Sequence, residues 1–111
     1  MQKGLYMKKL ILTSAFLLTL LAFSSSAGLV DAGFDGSRIW ADVRGPAGTE
    51  FTAFLYIWDD DYNSWSLRSQ GNYVFNAGGR KIVQWDVNGH GKAYVKVMDQ
   101  DGYTQSEEIG Y

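Results

Sequence analysis

Not one of the 111 residues is a cysteine, only one is a proline and only one a histidine. Without thiols there is no disulfide staple, no thiolate nucleophile and no cysteine-held zinc. The lone histidine, His90, sits in the glycine-flanked segment NGHG, which reads as an exposed turn. A serine nucleophile normally needs an imidazole oriented by a carboxylate, and zinc wants three or four nitrogen, sulfur or carboxylate ligands, so neither chemistry has its parts. Helical periodicity is missing as well: no long stretch repeats apolar residues at i, i+3 and i+4, and 12 glycines punctuate residues 28–111. With no helix expected, no helix N-terminus is available to cradle a phosphate. A pair of carboxylates of the glycosidase kind is the one catalytic arrangement the inventory leaves open. A chain this short offers little cleft to hold a sugar for that reaction, and the expectation is a protein that is not an enzyme.

Basic charge is also scarce once the N-terminus is set apart. Lys3, Lys8 and Lys9 precede a nearly unbroken apolar run from Leu10 to Phe23, and Ser24, Ser25, Ser26 and Ala27 follow as small residues. This is the pattern of a secretory signal, with Ser25 and Ala27 suited to a cut before Gly28. The run is shorter than the roughly 20 residues a bilayer-spanning helix needs. The expected organisation is therefore a signal peptide over 1–27 and one domain over 28–111, located outside the cell, or in the periplasm if the source has an outer membrane. Residues 28–111 carry seven basic and twelve acidic side chains, a net charge of −5. Such a surface has no electrostatic footprint for nucleic acid and is repelled by anionic lipid, so neither nucleic-acid binding nor stable membrane insertion after cleavage is expected.

What the sequence does have is alternation. In SRIWADVRG, Ile39, Ala41 and Val43 share one face while Arg38, Trp40, Asp42 and Arg44 share the other. EFTAFLYIWD is apolar on both faces, Phe51, Ala53, Leu55 and Ile57 opposing Phe54, Tyr56 and Trp58, as in a strand central to its sheet or covered by a partner. Turn signals fall at GPAG (45–48), DDDYN (59–63), QGN (70–72), AGGR (77–80), NGHG (88–91) and DQDG (99–102). Six to eight short strands at such spacing predict an all-β sandwich or barrel. Fourteen of residues 28–111 are Phe, Trp or Tyr. They are numerous enough to hold a small core without disulfides.

The segment GKAYVKVMDQDGYTQSEEI, an alternating strand, a D-x-D-G turn and a polar strand, resembles the closing hairpin of bacterial immunoglobulin-like, fibronectin type III-like and PKD-like domains. The resemblance covers about 20 residues. It implies a small immunoglobulin-like antiparallel β-sandwich of about seven strands and a habit of binding, with no catalytic residues. The alternative is a Greek key of the βγ-crystallin kind: DDYNSWS (60–66) is similar to that family's calcium motif at Asp60, Asp61 and Ser64, but holds Trp65 where the motif has serine.

Two groups of residues are candidates for function. Asp59, Asp60, Asp61 and Asn63 concentrate oxygen donors over five residues, and in an immunoglobulin-like order the loop carrying Asp86 and Asn88 would lie at the same end. Calcium, which takes six to eight oxygens, is the cation such loops would suit; the competing reading is that the aspartates merely solvate a strand end. Phe54, Tyr56 and Trp58, with Tyr94 on a neighbouring strand, would form an exposed aromatic row if Ala53, Leu55 and Ile57 face the core. The opposite register would put those rings inside. Trp40, between Arg38 and Asp42, is the aromatic expected to be most exposed. The function expected is a secreted, non-catalytic module engaging a carbohydrate or protein surface through exposed aromatics. The alternatives are a secreted effector, such as an antimicrobial factor or enzyme inhibitor, and a matrix protein that self-associates through strand edges.

Overall fold

The computed structural model describes residues 27–111, and the expected signal segment lies outside them apart from Ala27. Seven strands follow one another: β1 (Gly28–Phe34), β2 (Arg38–Arg44), β3 (Glu50–Asp59), β4 (Ser64–Val74), β5 (Arg80–Asp86), β6 (Lys92–Asp99) and β7 (Thr104–Gly110). All pairings are antiparallel, and the strands make a three-stranded sheet, β1-β2-β5, and a four-stranded sheet, β4-β3-β6-β7. The immunoglobulin-like expectation, rather than the crystallin-like alternative, is the arrangement found. In the constant-type immunoglobulin order the fourth strand joins the first, second and fifth; here β4 stays beside β3. The reason is local. Asp59 pairs with Ser64, so the four residues between them close a hairpin and the returning strand takes its hydrogen bonds from β3 rather than crossing to the other sheet.

The core is the inner face of both sheets. Ile39, Ala41, Val43 and Val83 from the smaller sheet meet Phe51, Ala53, Leu55, Ala93, Val95 and Val97 from the larger, all buried. Small residues at 41, 53 and 93 let the layers approach, and the branched chains between them fill the gap. Phe51 stacks on Phe75 at 4.8 Å and on Tyr73 at 5.4 Å, closing one end of the sandwich, while Phe34 and Tyr111, 6.1 Å apart, close the other. The alternation read from β2, β3 and β6 is therefore the alternation of inside and outside.

Two stretches depart from the sequence reading. QGN (70–72) is not a turn: β4 runs straight through it, with Gln70, Gly71 and Asn72 opposite Phe54, Ala53 and Thr52. Thr52 Oγ1 and Asn72 Oδ1 are 2.8 Å apart across the strands, and Tyr73 folds back over Gly71, where a Cβ would lie 2.9 Å from the phenol oxygen. Pairing to a long β3 overrides the local turn preference of Gly and Asn. The second departure is β1, which the sequence did not announce. A register shift between Leu29 and Asp31 inserts an extra residue and spoils the period-2 pattern by which strands are recognised. By contrast the AGGR turn is built as read. Gly79 has φ 66° and a Cβ there would sit 2.7 Å from the Gly45 carbonyl oxygen, so this position excludes any side chain.

Candidate functional site

The aromatic row of β3 faces outward. Because Ala53, Leu55 and Ile57 point into the sandwich, Phe54, Tyr56 and Trp58 stand on the outer face of the four-stranded sheet, and Tyr94 of β6 is directly opposite Tyr56. The two phenol rings stack at 4.4 Å with 11° between planes. That separation is close to the 4.7–4.9 Å spacing of neighbouring strands, so both rings stand upright on the sheet, face to face. Trp65 of β4, opposite Trp58, meets Trp58 edge-on at 5.2 Å and reaches across β3 to Tyr94 at 4.8 Å. Burial, and then the neighbouring Tyr56, push the Tyr94 hydroxyl above the ordinary tyrosine range.

Two lysines on the same face lie over the rings. Lys96 Nζ is 4.5 Å from the centre of Phe54 and 5.3 Å from that of Tyr56, and Lys92 Nζ is 5.0 Å from the centre of a Trp58 ring. Each such contact is worth about 0.5–1 kcal/mol at an exposed site, and the lysine stems cover apolar surface. The result is a ladder of rings whose faces are largely occupied by one another and by ammonium groups. Phe54 is buried despite its outward position, only 8% exposed, so of the expected ligand-binding residues it is the one the structure closes off. Tyr56, Trp58 and Tyr94 stay partly exposed. Trp65, Lys92 and Lys96 were not singled out from the sequence. The alternation of Trp65 with Leu67, and of Lys92 and Lys96 with Tyr94, carried that signal.

The outer face of the three-stranded sheet is built differently. Trp40 of β2 pairs with Gly33 on one side and Gln84 on the other. A Cβ on Gly33 would lie 2.8 Å from Cζ2, 3.1 Å from Cε2 and 3.3 Å from Nε1 of Trp40, so the indole lies down over the glycine. Around it, Arg38 bonds Gln84 Oε1 at 3.2 Å and Asp86 at 3.2 Å, and Asp42 holds Arg80 through both carboxylate oxygens at 3.1 Å, with Arg44 at 3.7 Å. Trp40 is partly covered rather than the most exposed aromatic; that place belongs to Tyr62 and Tyr103, 81% and 74% exposed at loop tips. The glycine across from Trp40 explains the difference, because it gives the ring somewhere to lie.

The acidic loops do share one end of the sandwich, since β3 and β5 both finish there, but their side chains are engaged locally. Asp59 Oδ1 accepts the Asp61 amide at 3.0 Å, Asp60 Oδ1 accepts the Trp58 indole N–H at 2.9 Å, and Asp86 pairs with Arg38. Asn63 takes φ 50° to close the turn, and Asn88 is exposed in the next loop. Among the described residues no three acidic or imidazole groups come together as a metal cluster. At the opposite end Asp99 is only 4% exposed; its Oδ1 accepts the amides of Asp101 and Tyr103, and its Oδ2 has no partner. In the turn leading into β2, at the end shared with Asp86, Asp35 accepts the amides of Ser37 and Arg38, which lower its carboxyl below the ordinary range. These are turn-forming uses of aspartate. They organise loops.

No protein-family model matches the chain, and no curated protein does. Among solved structures it is similar to β-glucosidase 3B from Thermotoga neapolitana. In the complex with α-D-glucose the identity is 14% and the TM-score 0.42, and in the complex with glycerol 14% and 0.40. Both matches cover 78% of this chain, which spans 16% of the length of that enzyme.

Proposed function

We propose that the protein is an exported, non-catalytic binding module that engages an extracellular carbohydrate or protein surface through aromatic side chains outside its sandwich. The observation that carries this reading is a surplus of rings. The core closes with Ile39, Val43, Phe51, Leu55, Phe75, Val83, Val95 and Val97, and none of Trp40, Tyr56, Trp58, Trp65 or Tyr94 is needed to fill it. Rigid aromatics held at a surface desolvate large areas at low entropic cost, which is what a contact surface requires. The test is retention of the labelled protein on insoluble polysaccharides and on washed cells of the producing organism. Saturable retention that Trp40→Ala or Trp58→Ala weakens is the expected result. Absence of retention on both supports, or turnover of chromogenic glycosides by the purified protein, overturns the reading.

A second reading has its own observation. The edge strand β4 exposes Leu67 and Val74, 51% and 55% accessible, and the edge strand β5 exposes Ile82. Unpaired edges with apolar side chains favour self-association. A mass that rises with concentration in sedimentation equilibrium, and falls to the monomer in Leu67→Lys, would mark assembly through this flank.

A further inference from the structure

We propose that Trp40 on Gly33 is a stacking subsite for a single sugar ring of a neutral polysaccharide. The inference rests on the module reading above and narrows it to one ligand class and one face. Three features distinguish Trp40 from the rings of the ladder. Its plane is laid over the sheet because Gly33 presents no Cβ beneath it. Among the described residues no ring and no cation stacks on it, whereas Trp58 lies under Lys92 and Tyr56 against Tyr94. Its indole N–H has no hydrogen-bond partner among the described residues, and it is not among the fully buried polar atoms left without one. The Trp58 N–H, in contrast, is taken by Asp60.

A ring lying flat with one free face suits a sugar. The apolar C–H face of a pyranose packs on the π-cloud, and hydroxyls at its edge seek planar groups that donate and accept hydrogen bonds. Arg38, Gln84 and Asp86 supply such groups at one rim of Trp40 and already bond to one another, so little ordering remains to be done on binding. The side chains of Arg38 and Asp86 are 52% and 91% exposed and within reach of solvent. Charge selects the class. Arg38 pairs with Asp86, and Asp42 pairs with Arg80 and Arg44, so each of these three arginines beside Trp40 already has an internal carboxylate. An acidic polysaccharide would have to break these pairs; a neutral one would not.

The experiment is depletion of the purified protein by suspensions of cellulose, chitin and neutral xylan, with tryptophan fluorescence titration by the matching soluble oligosaccharides. At least one of these supports is expected to bind it. Trp40→Ala is expected to weaken that binding by about tenfold or more, the equivalent of one lost stacking contact, and Trp40→Phe to keep most of it. Gly33→Ala, whose new methyl lifts the indole off the sheet, weakens binding while leaving Trp40 in place. Tyr62→Ala and Tyr103→Ala, which remove exposed aromatics at loop tips, leave it unchanged. Binding by Trp40→Ala at the wild-type level, or no binding to any of the three polysaccharides, overturns the inference. The two failures separate from failure of the module reading. Loss confined to Tyr56→Ala and Trp58→Ala moves the site to the ladder, and retention on cells without retention on polysaccharides leaves a module with another partner. Should Trp40→Ala fail to fold, Trp40→Phe and Gly33→Ala decide the question.

Discussion

The two outer faces of this sandwich use aromatic rings in opposite ways. On the four-stranded sheet, Tyr56, Trp58, Trp65 and Tyr94 stand against one another at 4.4–5.2 Å, and two lysines lie over Tyr56 and Trp58. On the three-stranded sheet a single indole lies flat on a glycine, framed by ion pairs. The difference comes from the residue across the strand. An aromatic opposite an aromatic is propped by its neighbour, stacked as in Tyr56–Tyr94 or edge-on as in Trp58–Trp65, whereas an aromatic opposite glycine tips over. Upright rings stabilise the sheet that bears them. A ring lying down leaves one face for something else.

If that contrast is right, stability and binding divide between the faces. The largest effect on stability belongs to the ladder: Tyr94→Ala removes the stack with Tyr56 and the edge contact with Trp65, a loss of about 2–3 kcal/mol. The melting temperature should fall by roughly 10–20 °C. Asp42→Ala comes next. It removes the bidentate hold on Arg80 and costs about 1–2 kcal/mol, read as a drop in the denaturant midpoint with an unchanged slope.

Gly33→Ala follows at about 1 kcal/mol, from the displaced indole, and crystallography or fluorescence should find the Trp40 ring raised. Trp40→Ala itself should cost no more than about 1 kcal/mol. A loss as large as that of Tyr94→Ala would mean that Trp40 is structural, and the contrast between the faces would collapse.

The smallest effect is on pH dependence. The Tyr94 phenol is raised in the folded state, by burial first and by Tyr56 second, so folding favours its protonated form. Its contribution is complete below the unfolded tyrosine value, near pH 10, and is lost as pH rises through the folded value. Melting curves of the wild type should fall more steeply than those of Tyr94→Phe above about pH 10, and parallel curves would remove the coupling. Asp35 works in the opposite sense. Its carboxyl is lowered by the amides of Ser37 and Arg38, so its contribution holds at neutral pH and disappears on acidification through the carboxylate range.

Much of the sandwich was legible because the period-2 pattern of β2, β3 and β6 separates a purely apolar face from a mixed one, and burial obeys that separation. The aromatic candidates on β3 and β6 were legible in the same way, though whether the rings pointed in or out was open until the small residues Ala53 and Ala93 were seen to meet Ala41 and Val43. The sequence did not reveal β1, whose extra residue breaks the pattern. It also suggested a turn at QGN, where pairing to a long neighbour overrides a local preference. The oxygen-rich loops were placed at one end correctly, but nothing in their spacing said that Asp60 would bond an indole and Asp86 an arginine.

By itself, the sequence determined that this chain makes strands, that its core forms without disulfides, and that cysteine and paired-histidine chemistries are absent. Those conclusions need only composition and the direction in which each side chain alternates, which are properties of the chain alone. Only the tertiary structure decided which ring faces which residue: that Tyr94 meets Tyr56, that Phe54 is sealed under Lys96, and that Trp40 rests on Gly33. Cross-strand register joins residues far apart in sequence, and it is fixed by the packing of two whole sheets rather than by any local signal.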